Sequence, residues 1–436
     1  MDESYLKKMA KDWHGGTVYG IMSACTASPL CIEAAMLASK KKGLPVLVEA
    51  TSNQVNQFGG YTGMRPADYF SFVKTIAEKA GMPMENVILG GDHLGPQPFK
   101  NEAEGAAMKK AEDLVYEYAA AGFSKIHLDT SMRLASDDRG ARLPDEIIAE
   151  RALRLAQSAV AGFKEYKSRC REARMPVFVI GSEVPVPGGS QEAAEGIEIT
   201  KPEDLDATVN AFKSAFVKNG LDEVWDNVIG VVVQPGVEFG DTELHLYNPE
   251  KAKRLLDSIR KYAPIVFEGH STDYQTPLCL KHMVHDGICI LKVGPGLTFY
   301  QREAIFALSA IEKELLQKTG KAFSAFPEVL EKSMLDNPTD WEKYYHGTPE
   351  EQYLKRKYSY SDRCRYYLPQ PEVVKALEAL IANLSGLDIP ITVLSQFMPI
   401  QAFKVRTGEI GKDPHSLIIS RITDLIDEYL FALASK

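Results

Sequence analysis

Short apolar segments alternate with longer amphipathic ones over about the first 310 residues of the chain. Eight apolar segments are rich in valine, isoleucine and leucine, the composition of parallel strands that are covered on both faces. They are residues 18–22, 45–50, 87–91, 124–129, 177–183, 228–234, 264–268 and 287–293. The segments between them carry apolar residues at helical spacing. The pattern therefore indicates repeated β-α units.

Helix start signals support this assignment. Ser28, Thr200 and Asn248 each stand just before a proline suited to the first helical turn, and Thr200 with Glu203 predicts a capping box. Eight strands with eight crossovers predict a (β/α)8 TIM barrel over residues 1–320. An open doubly wound sheet is the alternative, because the order of strands cannot be read from the sequence.

Residues 321–436 do not continue the alternation. An aromatic, basic stretch is followed by helical patterns over 371–385 and 414–435, which predicts a C-terminal helical extension packed on the barrel. Its role is either packing and oligomer contact, or that of a lid that brings Arg363 or Arg365 to an anionic substrate. We also expect a homo-oligomer.

Composition limits the classes of function. The 436 residues are 45% hydrophobic and 25% charged, with a net charge of -9, and no basic stripe is visible, so nucleic acid is not an expected partner. No apolar stretch has the length of a membrane span or the form of a signal peptide, which predicts a cytoplasmic protein. The six cysteines form no Cys-x-x-Cys pair and are interpreted as reduced thiols.

Polar residues gather at the predicted strand ends, which in a barrel converge on one face. Such groups are costly to bury unless they are paired or bind a metal. The residues are Glu49, Asn53, Gln54, Asp92, His93, His127, Asp129, Glu183, Gln234, Glu268 and His270. Asp92 and His93 alone could be a turn cap and a core histidine, but the other strand ends favour a functional site.

A divalent metal would offset the cost of burying these groups. His93, Glu183 and His270 supply nitrogen and oxygen ligands suited to zinc, manganese, cobalt or nickel. No pair among them has the tight spacing of a zinc motif. A metal-free, hydrogen-bonded core is the alternative.

A second candidate zone follows the last predicted strand. Gly294 and Gly296 allow backbone amides to converge on an anion just before a helix, at the position where barrels commonly bind phosphate. Ser271 and Thr272 could add hydroxyl donors. These four residues are therefore candidates for binding a substrate phosphate.

Several motifs resemble the accessory-subunit family of tagatose-bisphosphate aldolase, the GatZ/KbaZ type. They are VEATSNQVNQFGGYTGM (48–64), LGGDHLGP (89–96), GFSKIHLD (122–129), FEGHSTDYQ (267–275) and YSYSDR (358–363). The resemblance implies a barrel related to the metal-dependent class II aldolases. Those enzymes have an Asp-His pair after the third strand, which maps an acid/base role onto Asp92 and a metal-ligand role onto His93.

The chain departs from the class II pattern at two strands. Gln234 stands where those aldolases have a metal-binding histidine, and Glu268 is the gapless counterpart of another, with His270 two residues further on. The resemblance therefore leaves Glu183 or Glu268 as the metal ligand that takes the place of a missing histidine. Gln234, Glu268 and His127 stay candidates for contacts with metal or substrate.

The resemblance implies two classes of function. One is a non-catalytic subunit that stabilises a separate aldolase, or the aldolase activity itself. The other is carbon-4 epimerisation of fructose and tagatose or their 6-phosphates, by metal-assisted retro-aldol cleavage and readdition. The charged strand ends favour the enzyme. Asp92 is then one acid/base, Glu49 and Asp129 are candidates for the second, and Asn53, Gln54 and Arg363 are candidates for substrate binding.

Overall fold

The computed structural model describes residues 4–138, 143–182 and 197–433. Eight parallel strands close into a barrel, which confirms the predicted (β/α)8 class and excludes the open sheet. The strands are β1 (Ile21–Cys25), β2 (Val46–Thr51), β3 (Val87–Leu94), β4 (Lys125–Leu128), β5 (Val177–Ile180), β6 (Val228–Val233), β9 (Val266–Gly269) and β10 (Ile288–Val293). Around the barrel they follow the order of the chain, and β10 pairs with β1.

Helices surround the barrel. Those of the first 316 residues are α1 (Tyr5–His14), α2 (Pro29–Lys41), α3 (Pro66–Ala80), α4 (Glu104–Ala120), α5 (Asp145–Arg169), α6 (Pro202–Lys218), α7 (Asp222–Trp225), α8 (Pro249–Ser258), α9 (Pro277–His285) and α10 (Pro295–Leu316). A short antiparallel hairpin of β7 (Glu238–Phe239) and β8 (Leu244–His245), which the sequence did not predict, follows β6.

Two helix-start predictions have different outcomes. Asn248 is the N-cap of α8, and its side chain accepts a hydrogen bond from the backbone N–H of Lys251. Thr200 does not cap α6, because the helix begins after Lys201. The Thr200 hydroxyl oxygen accepts from the backbone N–H of Gln234 instead, at 2.9 Å, and so joins the segment before α6 to the end of β6.

The C-terminal region is helical, as predicted. Its helices are α11 (Phe326–Asp336), α12 (Pro349–Tyr358), α13 (Pro371–Ser385), α14 (Ile391–Phe397), α15 (Pro399–Arg406) and α16 (Pro414–Leu433). The last helix, α16, packs against α2, α9 and α10, so it becomes part of the outer layer of the barrel. No helix in the described ranges is long and apolar enough to cross a membrane.

A buried ion pair fixes the segment between α12 and α13, residues 359–370, against the barrel. The carboxylate of Asp362 accepts hydrogen bonds from Nε of Arg302 at 2.8 Å and from the hydroxyl of Thr298 at 2.7 Å, both on α10. Arg302 also stacks on Phe299, 4.5 Å from the ring centroid. Asp362 has a φ of 43°, so this pairing holds a residue in the left-handed region.

Replacing the buried cation should weaken the fold. We expect Arg302→Met to lower the free energy of unfolding by about 3 kcal/mol, because it leaves Asp362 buried without its counter-ion. Urea denaturation followed by circular dichroism measures the effect. Arg254→Met is the matched control, because Arg254 pairs with Glu203 in solvent, and it should change stability by less than about 0.5 kcal/mol. Equal effects of the two variants would contradict this account.

Candidate active site

Two buried lysines and three carboxylates form an ion-pair network inside the barrel. Nζ of Lys125, on β4, lies 2.9 Å from Oε1 of Glu49 and 2.7 Å from Oε2 of Glu268. Nζ of Lys292, on β10, lies 2.7 Å from Asp92, 3.0 Å from Glu49 and 3.2 Å from Glu268. Because every member is buried, each charge depends on its partners for compensation.

Gly90 makes room for part of this network. In the sheet it lies in register with Glu49 on one side and Lys125 on the other. A Cβ atom on Gly90 would lie 2.6 Å from Oε2 of Glu49. The absence of a side chain therefore lets the Glu49–Lys125 ion pair form across the glycine.

The end of β3 turns two consecutive side chains towards the same cavity. Neighbouring side chains of a regular strand point to opposite faces. Here His93 adopts a φ of 47°, and the pairing with β4 shifts register between Gly91 and Leu94. As a result, Asp92 and His93 both line the cavity at the strand ends. Strain of this kind is typical of functional positions.

Three histidines meet beside this network, and each is bound to a carboxylate. Their ring centroids lie 4.8 to 5.2 Å apart. The pairs are His93 Nδ1 with Asp129 at 2.8 Å, His127 Nδ1 with Asp92 at 2.9 Å, and His270 Nε2 with Glu268 at 3.0 Å. The carboxylates fix the ring orientations and leave the second ring nitrogen of each histidine available.

This arrangement fits a divalent metal. The buried Nε2 of His127 has no hydrogen-bond partner among the described residues. Asp92, His127, Glu268 and His270 each offer a ligand atom, and these atoms all lie within 4.8 Å of one another. Carboxylates that hold metal-binding imidazoles by their other nitrogen are typical of metal sites. The donor chemistry therefore suits the metals expected from the sequence.

The charges of the site shift the pKa values of its members. Burial acts to raise the pKa of Asp92, but His93 and Lys292 outweigh it and hold that pKa well below its usual value. Burial lowers the pKa of His270 to about 4, against the opposing hydrogen bond to Glu268. For His93 burial is outweighed by Asp92 and Asp129, so its pKa is raised. The carboxylate Asp92 is thus ionised and the imidazole His270 neutral at neutral pH.

Most of the predicted strand-end residues lie together in the structure, but only some of them line the cavity. Asp92, His93, His270, Asn53, Gln54 and Ser271 line the cavity, and His127 and Glu268 lie directly beside it. Glu49 and Asp129, the candidates for a second acid/base, are not among the cavity-lining residues. Glu49 accepts hydrogen bonds from Lys125 and Lys292, and Asp129 is bound to His93 and Ser131. Glu183 lies outside the described residues.

Four predicted substrate-binding residues have hydrogen-bond partners within the chain, and one of them, Gly294, also lines the cavity. Oε1 of Gln234 accepts from the backbone N–H groups of Gly236 and Val237, so its side chain closes a turn. The hydroxyl of Thr272 donates to the carbonyl of Lys292 at 2.6 Å. The amides of the remaining two, Gly294 and Gly296, donate to Asp273.

The two arginines of the lid hypothesis lie in different places, and only one of them lines the cavity. Arg363 does not reach the cavity, because it donates to the carbonyl of Asp340 and stacks on Tyr344. Arg365 lines the cavity, stacks on Tyr366 at 4.5 Å and donates to its hydroxyl oxygen at 3.1 Å. No described carboxylate forms an ion pair with Arg365, so its charge is available to a ligand.

Sequence reasoning missed several members of the site. Lys125 and Lys292 were visible as lysines inside otherwise apolar strands, which is an unfavourable place for an unpaired charge. Cys25, Tyr61, Asp273, Arg365 and Tyr366 also line the cavity. Cys25 ends β1, Tyr61 and Asp273 lie in the segments that follow β2 and β9, and Arg365 and Tyr366 lie in the C-terminal region. Of these five residues, only Arg365 was a candidate from the sequence.

These features define a (β/α)8-barrel protein with a buried carboxylate-histidine site at the carboxyl ends of its strands. The chain belongs to the GatZ/KbaZ-like family: the family model described as D-tagatose-1,6-bisphosphate aldolase subunit GatZ/KbaZ-like matches residues 6–434.

The chain is also similar to solved structures. One is described as a probable tagatose 6 phosphate kinase from Sinorhizobium meliloti 1021, with 43% sequence identity, 95% of this chain and 100% of that chain covered, and a TM-score of 0.85. Another is fructose-bisphosphate aldolase from Campylobacter jejuni, with 17% identity, coverage of 87% and 91%, and a TM-score of 0.44. The second likeness is too distant to bear on the chemistry of this chain.

The histidine cluster predicts metal binding that can be measured directly. Chain loaded with manganese or zinc and then desalted should retain about one ion per chain, and His93→Ala, His127→Ala and His270→Ala should each lose it while keeping the wild-type circular dichroism spectrum. Elemental analysis gives the stoichiometry. His285→Ala is the control, because His285 is exposed on α9. Full retention of metal by any of the three cluster variants would remove that histidine from the ligand set.

Proposed function

We propose that this protein is a metal-dependent carbon-4 epimerase that interconverts fructose and tagatose or their 6-phosphates. The observation that carries the proposal is the group of three histidines, each oriented by a carboxylate, beside the cavity that Asp92 and Lys292 line. A protein with only a supporting role has no need of such a costly buried array.

His93, His127 and His270 would hold the metal through their second ring nitrogens. Both carboxylate oxygens of Glu268 are already in ion pairs, which suits Glu268 to orienting His270 and to compensating the lysines. When bound, a divalent cation supplies Lewis-acid polarisation of the ketose oxygens.

Asp92 is the proposed base for the hydroxyl group on carbon 4. Its Oδ1 is engaged by His127 and Lys292, whereas its nearest contacts at Oδ2 are longer, 3.6 Å to Sγ of Cys25 and 3.7 Å to Nε2 of His93. Oδ2 can therefore accept the substrate proton. Loss of that proton allows the bond between carbons 3 and 4 to break, which gives an enediolate and an aldehyde.

Tyr366 is the proposed second acid/base. It comes from the C-terminal region, whereas Asp92 comes from the barrel strands, so the two groups approach the cavity from different elements. Burial acts to raise the pKa of Tyr366, but Arg365 and Arg363 outweigh it and lower that pKa. After the aldehyde rotates, Tyr366 would protonate the carbon-4 oxygen as the bond reforms on the other face. Asp92 then holds the proton taken from the substrate and Tyr366 is a phenolate, and proton exchange with solvent water restores both groups before the next turnover.

Family membership supports a second candidate function. The family description names a subunit of D-tagatose-1,6-bisphosphate aldolase. In that case the chain would stabilise a separate catalytic subunit or take part in aldol cleavage itself. The cavity and the charge network favour turnover by this chain, and the assays below separate the possibilities.

Turnover by the isolated chain is the first test. Purified protein loaded with zinc, manganese, cobalt or nickel, without any partner, should interconvert fructose and tagatose or their 6-phosphates, as measured by chromatography of the products. In D2O the product should carry no deuterium at carbon 4, because retro-aldol chemistry never breaks that carbon–hydrogen bond.

No turnover with any of the four metals, together with increased activity of an added aldolase subunit, would support the accessory function. Accumulation of cleavage products from the bisphosphate would support an aldolase.

Two substitutions test the assigned roles. We expect Asp92→Asn and Tyr366→Phe each to lower kcat by about 100-fold or more, because each removes a group that transfers a proton. Tyr353→Phe is the control for the second variant, because Tyr353 is an exposed residue of α12. Metal content should remain at the wild-type level in Tyr366→Phe, so that a loss of rate can be assigned to the phenol. A wild-type rate in either variant would exclude that residue as an acid/base.

A further inference from the structure

A second cavity, here called the α13 cavity, lies between the barrel and α13 beside the active-site cavity. Its volume is about 430 Å³, and most of its lining side chains are apolar, among them Met64, Phe72, Leu368, Leu377 and Ile381. Leu377 and Ile381 belong to α13 and remain only half-buried. A concave apolar space of this size suits the apolar part of a small molecule, because binding removes that part from water.

Arg365 connects the two cavities, because it lines both of them. The other residues that line both are Cys25, Gln54, Tyr61 and Gly294. Among the described residues of the α13 cavity, the other charged one is Glu378, which is exposed on α13. The end of the α13 cavity that adjoins the active site therefore carries a positive charge, and no described carboxylate forms an ion pair with it.

Further hydrogen-bond donors line the α13 cavity. Gln301 is 3% exposed, and its Oε1 accepts hydrogen bonds from Ser28 at 2.6 Å and from Cys31 at 3.1 Å. Its Nε2 donates to no residue in the described part of the chain. Ser28 is the N-cap of α2, but its side chain makes no cap hydrogen bond, so the first N–H groups of α2 have no acceptor from it. A ligand with acceptor oxygens would satisfy such donors.

We propose that the α13 cavity binds an amphipathic carboxylate, a small molecule with an apolar chain and one anionic end. The chain lies against the apolar side chains of the barrel and of α13, and the carboxylate accepts charge-assisted hydrogen bonds from Arg365. A neutral apolar molecule would leave Arg365 and Gln301 without acceptors, and an ammonium group would meet the like charge of Arg365.

Binding to the α13 cavity does not depend on the proposed function, but its effect on turnover does. Arg365 also lines the active-site cavity. A carboxylate bound in the α13 cavity would therefore compete with an anionic substrate for the same guanidinium group. The ligand would act as an inhibitor of the proposed reaction.

The preference for a head group tests the proposal on the wild-type chain. Titration calorimetry of the full chain compares octanoate with 1-octanol and octylammonium, which carry an apolar chain of the same length. We expect octanoate to bind at least about ten times more tightly than either of the others, because only octanoate accepts charge-assisted hydrogen bonds. Equal affinities for the three probes, or no binding of octanoate, would overturn the proposal.

Two substitutions locate the bound octanoate. Leu377→Glu places a carboxylate in the lining of the α13 cavity and should weaken octanoate binding by at least about tenfold. Arg365→Met should make the affinities for octanoate and 1-octanol equal. Leu354→Glu is the matched control, because Leu354 is an exposed residue of α12 that does not line this cavity, and its Kd should equal that of the wild type. A wild-type Kd in Leu377→Glu, or a retained preference for octanoate in Arg365→Met, would contradict the proposal.

A second copy of the chain is the alternative occupant of the α13 cavity. If sedimentation showed that Leu377→Glu turns an oligomer into a monomer, while octanoate did not bind the wild type, the cavity would be a contact between copies and the proposal would be wrong. All these experiments measure binding without turnover. An inactive protein that prefers octanoate would thus contradict only the proposed epimerase, and an active epimerase that does not bind octanoate would contradict only the role of the α13 cavity.

Discussion

The ion pairs that Lys125 and Lys292 make inside the barrel determine the geometry of the whole site. An isolated carboxylate in this interior would cost several kcal/mol, so Glu49, Asp92 and Glu268 can be buried only where an ammonium group meets them. Two of these carboxylates in turn hold histidines. The lysines therefore act on the site indirectly, because they fix the carboxylates that fix the imidazoles.

The barrel alone does not complete the cavity. Arg365 and Tyr366 reach it from the segment that follows α12, and Asp362 in that segment is anchored to Arg302 on α10. This ion pair lies away from the histidines, but it sets where the guanidinium and phenol groups stand. The C-terminal region thus supplies part of the lining of the cavity, beyond the packing role that a helical extension would have by default.

The strands and the barrel class were predictable because strands covered on both faces leave a strong apolar pattern. The first strand was predicted at residues 18–22 but begins at Ile21. Gly20, before it, approaches the carbonyl of Cys289 so closely that a Cβ atom would lie 2.6 Å away, a contact that only the folded structure reveals. The other seven predicted strands overlap the observed ones, with ends that differ by up to three residues.

Residues of the site were predictable where a charged residue interrupts an apolar strand. They were less predictable where the interacting residues come from distant segments of the chain. Asp92, His93, Glu268 and His270 stood out because strand ends of a barrel converge. The sequence could not show that Asp273 occupies the amides of Gly294, since the two residues are brought together only by the packing of two loops. A sequence does not show which group accepts the hydrogen bonds of loop amides, so it does not show whether those amides are free to bind a ligand.

The charge of the site supports the metal binding that we propose. Four carboxylates, those of Glu49, Asp92, Asp129 and Glu268, are buried around two ammonium groups, those of Lys125 and Lys292. This excess of negative charge is consistent with the raised pKa of His93, which Asp92 and Asp129 produce against the effect of burial. A divalent cation bound by the imidazoles would replace such protons and compensate the excess.

In the proposed reaction, the same carboxylates would oppose the negative charge that develops on a ketose oxygen during bond cleavage unless a cation is bound. Lys292 alone cannot remove this opposition, because its ammonium group is already shared among Asp92, Glu49 and Glu268. The network that stabilises the resting site would therefore make the proposed chemistry depend on a positive charge from outside the network, supplied by the metal or by Arg365. In the proposed function, the carboxylates that compensate the lysines in the folded barrel would disfavour the negatively charged intermediate, and a bound cation would offset that effect.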